Sequence, residues 1–118
     1  MAQIVNLTPH AINLPDRVIE PSGKVIRVSS TVEYVGELDG IRITRTTYGK
    51  PGIENGSDWS GELPEQQDGV FYIVSALAAA ACPDRTDFLI PNETRRNEKG
   101  QIIGCCSLAT VDRNLKTL

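Results

Sequence analysis

The chain lacks the signatures of the common catalytic sites. Its only histidine is His10 and it has no GxSxG motif, so neither paired histidine metal ligands nor a serine nucleophile can be identified. Neither GxGxxG nor GxxxxGK[ST] occurs, which argues against a dinucleotide-binding Rossmann fold and a P-loop NTPase. We therefore expect a non-catalytic protein without a cofactor, and a binding role is the better hypothesis.

Cysteine is also scarce. The three cysteines, Cys82, Cys105 and Cys106, form an odd set with two adjacent members and no CxxC pair. Free, partly buried thiols in a reducing compartment are the simplest interpretation, and no metal site is predicted.

Long hydrophobic runs and an excess of basic charge are missing as well. The longest apolar stretch, residues 70–82, contains Ser75 and is too short to cross a bilayer. The first twenty residues do not follow the plan of a secretory signal, and a net charge of −3 gives no general attraction to a phosphate backbone. We expect a cytoplasmic protein with neither a membrane nor a nucleic acid as its partner.

The pattern that is present predicts one α+β domain over residues 1–118, a largely antiparallel sheet of about six to eight short strands with one Ala-rich helix packed on it. Five short strands separated by turns fill the first half, and Asp39-Gly40 is a hairpin turn. A buried strand at 70–74 then leads into a helix that Ser75 caps and Pro83 ends. A strand at 88–90, a turn at Pro91-Asn92 and a hairpin with a charged tip at 95–100 follow.

Two segments are predicted to lack regular structure. Residues 48–69 are rich in glycine and proline, as in a long loop or lid, and residues 112–118 are predicted to be a flexible tail. Trp59 in the predicted loop either pins it to the body or covers a ligand or partner face.

Three groups of polar residues are candidates for ligand binding. Thr8 and His10 lie at a corner after a buried strand. In one interpretation His10 donates a hydrogen bond to a phosphate of the ligand, and in the other these residues only complete a turn. Ser75 and Tyr72 lie at the start of the helix. One interpretation is that an anion binds there, and the other is that Ser75 only caps the helix.

The third group lies between the helix and the last hairpin. Arg85 offers a planar fork for a phosphate, while Asp87 or Asn92 accepts from a ribose hydroxyl or a base edge. Alternatively, Arg85 and Asp87 simply pair with each other. A domain this small, with one Trp and two Phe, gains much from sharing a core, so a homo-oligomer is also predicted.

Four stretches carry a family resemblance. They are Asn-Leu-Thr-Pro-His at 6–10, Leu-Pro-Glu at 63–65 leading into Gly-Val-Phe-Tyr-Ile-Val-Ser at 69–75, Arg-Thr-Asp at 85–87 and Gly-Gln-Ile-Ile-Gly at 100–104. With them, nearly the whole chain resembles a group of small bacteriophage and prophage proteins. This resemblance implies a phage-encoded protein that is located in the host cytoplasm. Small phage proteins include anti-defence proteins that sequester nucleotide immune signals, such as cyclic dinucleotides or cyclic ADP-ribose derivatives.

These observations lead to a first hypothesis and two alternatives. The first is a homo-oligomeric module that sequesters a nucleotide-like small molecule between the Thr8–His10 corner, the Ser75 helix start and the 85–92 loop, with Tyr72 or Trp59 stacking on it. The second is a protein–protein interaction module, either a virion or assembly component or a direct inhibitor of a host enzyme, that uses the Trp59 loop and the Arg95-Arg96 hairpin as its surface. The third is a small nucleotide hydrolase or transferase.

Overall fold

In a computed structural model of the chain, residues 3–55, 58–59, 62–112 and 114 are described. Strands dominate at 57%, against 6% for the helix, so the α+β class is confirmed only in a broad sense. The elements follow the order β1 (Gln3–Asn6), β2 (Ile12–Asn13), β3 (Val18–Ile19), β4 (Val25–Leu38), β5 (Ile41–Asn55), β6 (Asp58–Trp59), β7 (Val70–Ile73), α1 (Ala76–Ala81), β8 (Phe88–Arg96) and β9 (Ile102–Thr110).

A four-stranded sheet with the order β1-β7-β8-β9 forms the body. β1 pairs with β7 in parallel, from Gln3↔Val70 to Asn6↔Ile73, and β7 pairs with β8 in parallel because α1 crosses between them. β8 and β9 form the antiparallel hairpin that the sequence predicted. The prediction of a largely antiparallel sheet is therefore wrong for β1, whose parallel partner β7 lies far along the chain.

The helix begins where its capping residue predicts. The Ser75 hydroxyl accepts a hydrogen bond of 3.1 Å from the Ala78 amide, and α1 ends at Ala81, two residues before Pro83. Ala78 and Ala79 are buried, and their small side chains let the helix lie close to β4, β5 and β8.

The two faces of the body sheet carry separate hydrophobic clusters. Tyr72 and Ile73 are consecutive on β7, so their side chains point to opposite faces. Tyr72 packs in a cluster with Leu7, Ile26, Val74, Ala78, Ala79, Cys82 and Phe88. Ile73 packs on the other face against Ile12 and Cys105. α1 and the start of β4 therefore cover one face, and β2 covers the other.

β4 and β5 form a long antiparallel hairpin that projects from the body. They contain 14 and 15 residues and meet at the predicted Asp39-Gly40 turn. Only the base is packed, through Ile26, Val28 and Ile53, whereas every residue from 29 to 50 except Gly36 is exposed. We call residues 29–50 the arm. It explains a radius of gyration of 16.7 Å, against roughly 13 Å for a compact chain of this length.

Two predicted irregular segments are strands instead. β5 continues to Asn55, so the predicted loop at 48–69 is wrong over its first part, where pairing with β4 overrides the glycine and proline signals. β8 likewise runs through the predicted Pro91-Asn92 turn. Pro91 is tolerated because β7 pairs only with the start of β8, so no strand lies beside that edge at Pro91 and the missing N–H costs no hydrogen bond there. The predicted tail at 112–118 lies mostly outside the described residues.

Candidate functional site

The predicted Thr8–His10 corner is held by a buried side-chain network centred on Asn6. The Asn6 amide nitrogen donates to the carbonyl oxygens of His10 and Ile19, at 2.8 and 3.1 Å. Its Oδ1 accepts from the Thr8 amide at 2.9 Å and lies 2.7 Å from the Thr8 hydroxyl, which is also 3.0 Å from the His10 carbonyl oxygen. Thr8 is therefore buried and engaged in holding the turn.

His10 is exposed, and its position opens onto a cleft of about 310 Å³. The cleft lies between the 10–13 segment on one side and Pro91, Thr94 and the 102–105 stretch of β9 on the other, and we call it the β2 cleft. Of the residues predicted to bind a ligand, His10 alone lines it.

Arg85 and Asp87 form a two-bond ion pair. The Arg85 guanidinium donates from Nε to Asp87 Oδ1 at 2.9 Å and from Nη2 to Oδ2 at 2.7 Å, and the Asp87 side chain is only 4% exposed. The same guanidinium lies 4.4 Å from the centre of the Phe88 ring. Both charged groups are thus used within the body, as the alternative interpretation of this loop expected.

Tyr72 and Ser75 also have roles inside the body. The Tyr72 ring is buried edge-on against Phe88, with ring centres 6.2 Å apart, and its amide donates to the Asp87 carbonyl oxygen at 2.9 Å. Ser75 is exposed and accepts from Ala78 as the cap of a six-residue helix.

Asn92 and Trp59 lie apart from these groups. Asn92 is exposed on β8 and pairs with Ser107, while the Trp59 backbone pairs with Glu54 in β6. The lid role predicted for the Trp59 side chain lies outside what the structure describes. The structure thus brings Tyr72, Arg85 and Asp87 into one packed cluster and Thr8 and His10 into another.

Sequence reasoning missed an exposed apolar patch at the end of the arm. Leu38 and Ile41 are direct cross-strand partners, and Ile43 follows on the same face of β5. Val35 lies at a register shift of β4 and lines one shallow depression of about 280 Å³ with Leu38 and Ile43. We call Val35, Leu38, Ile41 and Ile43 the tip patch; Leu38 is 67% exposed.

The opposite face of the arm is apolar too. Val32 and Tyr34 share one face of β4, and Tyr48 lies on that face because it pairs with Ser30. All three are exposed, and the Arg42 guanidinium lies 5.4 Å from the centre of the Tyr34 ring. The alternating apolar residues after position 31, together with the Asp39-Gly40 turn, were the sequence signal for this surface.

The buried Cys82 thiol lies near the Arg85 charge. Burial raises the pKa of the Cys82 thiol, and the nearby Arg85 charge offsets part of the rise, which is the opposite of thiol activation. Within the described ranges, no cluster of three histidine, cysteine or acidic side chains is arranged to hold a metal ion. No helix in this part of the chain has the length and apolar character needed to span a membrane.

Comparisons with protein-family models, with curated proteins and with solved structures find no match to this chain.

Proposed function

We propose that this chain is a non-catalytic interaction subunit that docks onto a protein partner through its arm. The observation that carries the proposal is the arm itself, because nearly all of residues 29–50 are exposed and apolar side chains occupy both of its faces. Exposed apolar patches of this kind mark interaction surfaces, since leaving them in water invites non-specific association.

The arrangement of the arm favours a protein partner over a small ligand. Apolar residues lie on both faces of the hairpin, which is a larger surface than a small ligand covers, and the outer edge of β4 has no strand beside it among the described residues. Burying a half-exposed valine, leucine or isoleucine is worth roughly 1 kcal/mol, so the tip patch alone contributes several. In the phage setting that the resemblance implies, such a subunit corresponds to a virion or assembly component, or to a direct inhibitor of a host enzyme.

Sequestration of a nucleotide has weaker support. The Arg85 side chain is 16% exposed and donates two of its five N–H groups to Asp87, and Thr8 is buried and bonded within the corner, so these groups are poorly placed to meet a phosphate or a ribose. His10 and Asn92 remain exposed but do not line a common cleft. A thermal-shift screen with cyclic dinucleotides and ADP-ribose derivatives tests this hypothesis, and we expect no stabilisation.

Photo-crosslinking tests the proposal directly. Benzoylphenylalanine replaces Leu38 in the tip patch or, as a control, Val18, an exposed apolar residue on β3. The purified protein and an extract of its native cells are irradiated separately. We expect a discrete protein adduct from position 38 and not from position 18. Equal labelling from the two positions, or no adduct from either preparation, would contradict the proposal.

A further inference from the structure

The β2 cleft is a second apolar surface, separate from the arm. Ile102 and Ile103 line it and are 59% and 47% exposed, although they lie beside the buried Cys105. The tip patch and this cleft therefore each present adjacent aliphatic side chains to water. The aliphatic side chains at the end of the arm and those that line the cleft on the body are alike in polarity, so each group can cover the other.

We propose that the partner of the arm is a second copy of this chain, whose β2 cleft receives the tip patch. The inference rests on the proposed function, because it assigns a partner to the same arm. It makes the contact heterologous, since a tip meets a cleft rather than another tip.

Charge supports this pairing. On the cleft side, Arg95 donates from Nη2 to the Asn13 carbonyl oxygen at 3.4 Å, and its half-buried guanidinium has no carboxylate partner among the described residues. The buried Arg95 Nε has no hydrogen-bond acceptor in this part of the chain. A partly desolvated cation of this kind is stabilised by an incoming carboxylate.

The arm carries carboxylates at the right place. Glu37 lines the depression of the tip patch, and Asp39 follows at the turn. The nearby cation Arg42 is engaged with the Tyr34 ring on the opposite face of the arm. Glu37 is the cross-strand partner of Arg42, so the carboxylate left without an ion pair at the tip, among the described residues, is that of Asp39. The β2 cleft is flanked by the unpaired Arg95.

The fold keeps a tip away from its own cleft. The base of the arm packs with Tyr72 on one face of the body sheet, whereas the cleft opens beside Ile12 and Cys105 on the other face. The arm reaches roughly 30 Å beyond its base at about 3.3 Å per residue. Because the tip patch and the β2 cleft lie on different sides of each molecule, successive copies would bind head to tail and form a ring or a filament.

Complementation between two variants tests the contact. Leu38→Lys removes the tip surface and leaves the cleft intact, whereas Ile103→Lys removes the cleft and leaves the tip intact; both side chains are exposed, so the fold should tolerate the changes. We expect the native protein to self-associate in light scattering and sedimentation, and each variant alone to be monomeric. The mixture should form a one-to-one dimer that grows no further, because only one productive tip and one productive cleft remain.

Two controls sharpen the result. Val18→Lys should leave self-association unchanged, because Val18 is equally exposed but lies in neither surface. Arg95→Gln and Asp39→Asn should each weaken self-association several-fold and reduce its sensitivity to salt.

Three outcomes would overturn the inference: a native protein that stays monomeric, variants that still associate, or a mixture that does not restore the dimer. A monomeric protein that still gives an adduct from position 38 in the cell extract would refute self-docking and leave the proposed function standing. The lack of any adduct would remove both.

Discussion

Replacing Asn6 with alanine is expected to destabilise the fold by about 3–4 kcal/mol. The Asn6 side chain is 1% exposed and takes part in four hydrogen bonds with Thr8 and with the carbonyl oxygens of His10 and Ile19. Each such bond contributes about 1 kcal/mol net, and more where its loss strands a buried partner. Asn6→Asp should cost at least as much, because it points carboxylate oxygens at two carbonyl oxygens.

Asn97 offers a matched control for this experiment. Its side chain bonds to the Gln101 side chain and to the amides of Lys99 and Gln101, but at the exposed tip of the β8–β9 hairpin, where water can replace the lost partners. We expect Asn97→Ala to cost about 1 kcal/mol or less in urea unfolding followed by circular dichroism. If Asn6→Ala costs no more than Asn97→Ala, burial of the network is not what holds the corner, and the reasoning fails.

Three further predictions concern the body. Arg85→Ala should lower the free energy of unfolding by about 3 kcal/mol, because it leaves the buried Asp87 carboxylate without its partner, and adding Asp87→Asn should recover part of that loss. A double-mutant cycle that shows no coupling between the two residues would mean that the pair does not stabilise the fold. Gly104→Ala should cost about 1–3 kcal/mol in urea unfolding, because the new Cβ would clash with the Asn13 carbonyl oxygen, and an unchanged midpoint would contradict this contact. Iodoacetamide should alkylate the buried Cys82 more slowly than the exposed Cys106, as followed by mass spectrometry, and equal rates would argue against burial. Because burial raises the pKa of Cys82, its contribution to the stability of the fold should be lost as the pH rises through that pKa.

Local signals predicted the elements that depend on neighbours in sequence. Ser75 followed by alanines and Pro83 gives a capped helix whatever surrounds it, and Asp39-Gly40 gives a tight turn with positive φ at both residues. The hairpin tip near residues 97–101 was predictable for the same reason.

Distant pairing was beyond the reach of those signals. Residues 49–52 read as a loop by composition, yet Pro51 pairs with Val28 inside a long ladder. The parallel partner of β1 lies in β7, and no local pattern in 3–6 identifies it. The same limit applied to the site: the sequence left two roles open for Arg85 and Asp87, a ligand site or a mutual ion pair, and the fold was needed to show the pairing.

The pairing of β1 with β7 also sets an order of events during synthesis. β1 has no sheet to join until residue 73 has left the ribosome, whereas the β4–β5 hairpin needs only contacts between near neighbours and can close within microseconds. The strands of the arm can therefore pair before the body sheet closes. The docking that we propose for the tip patch would then be open to a partner during translation, before folding of the body is complete.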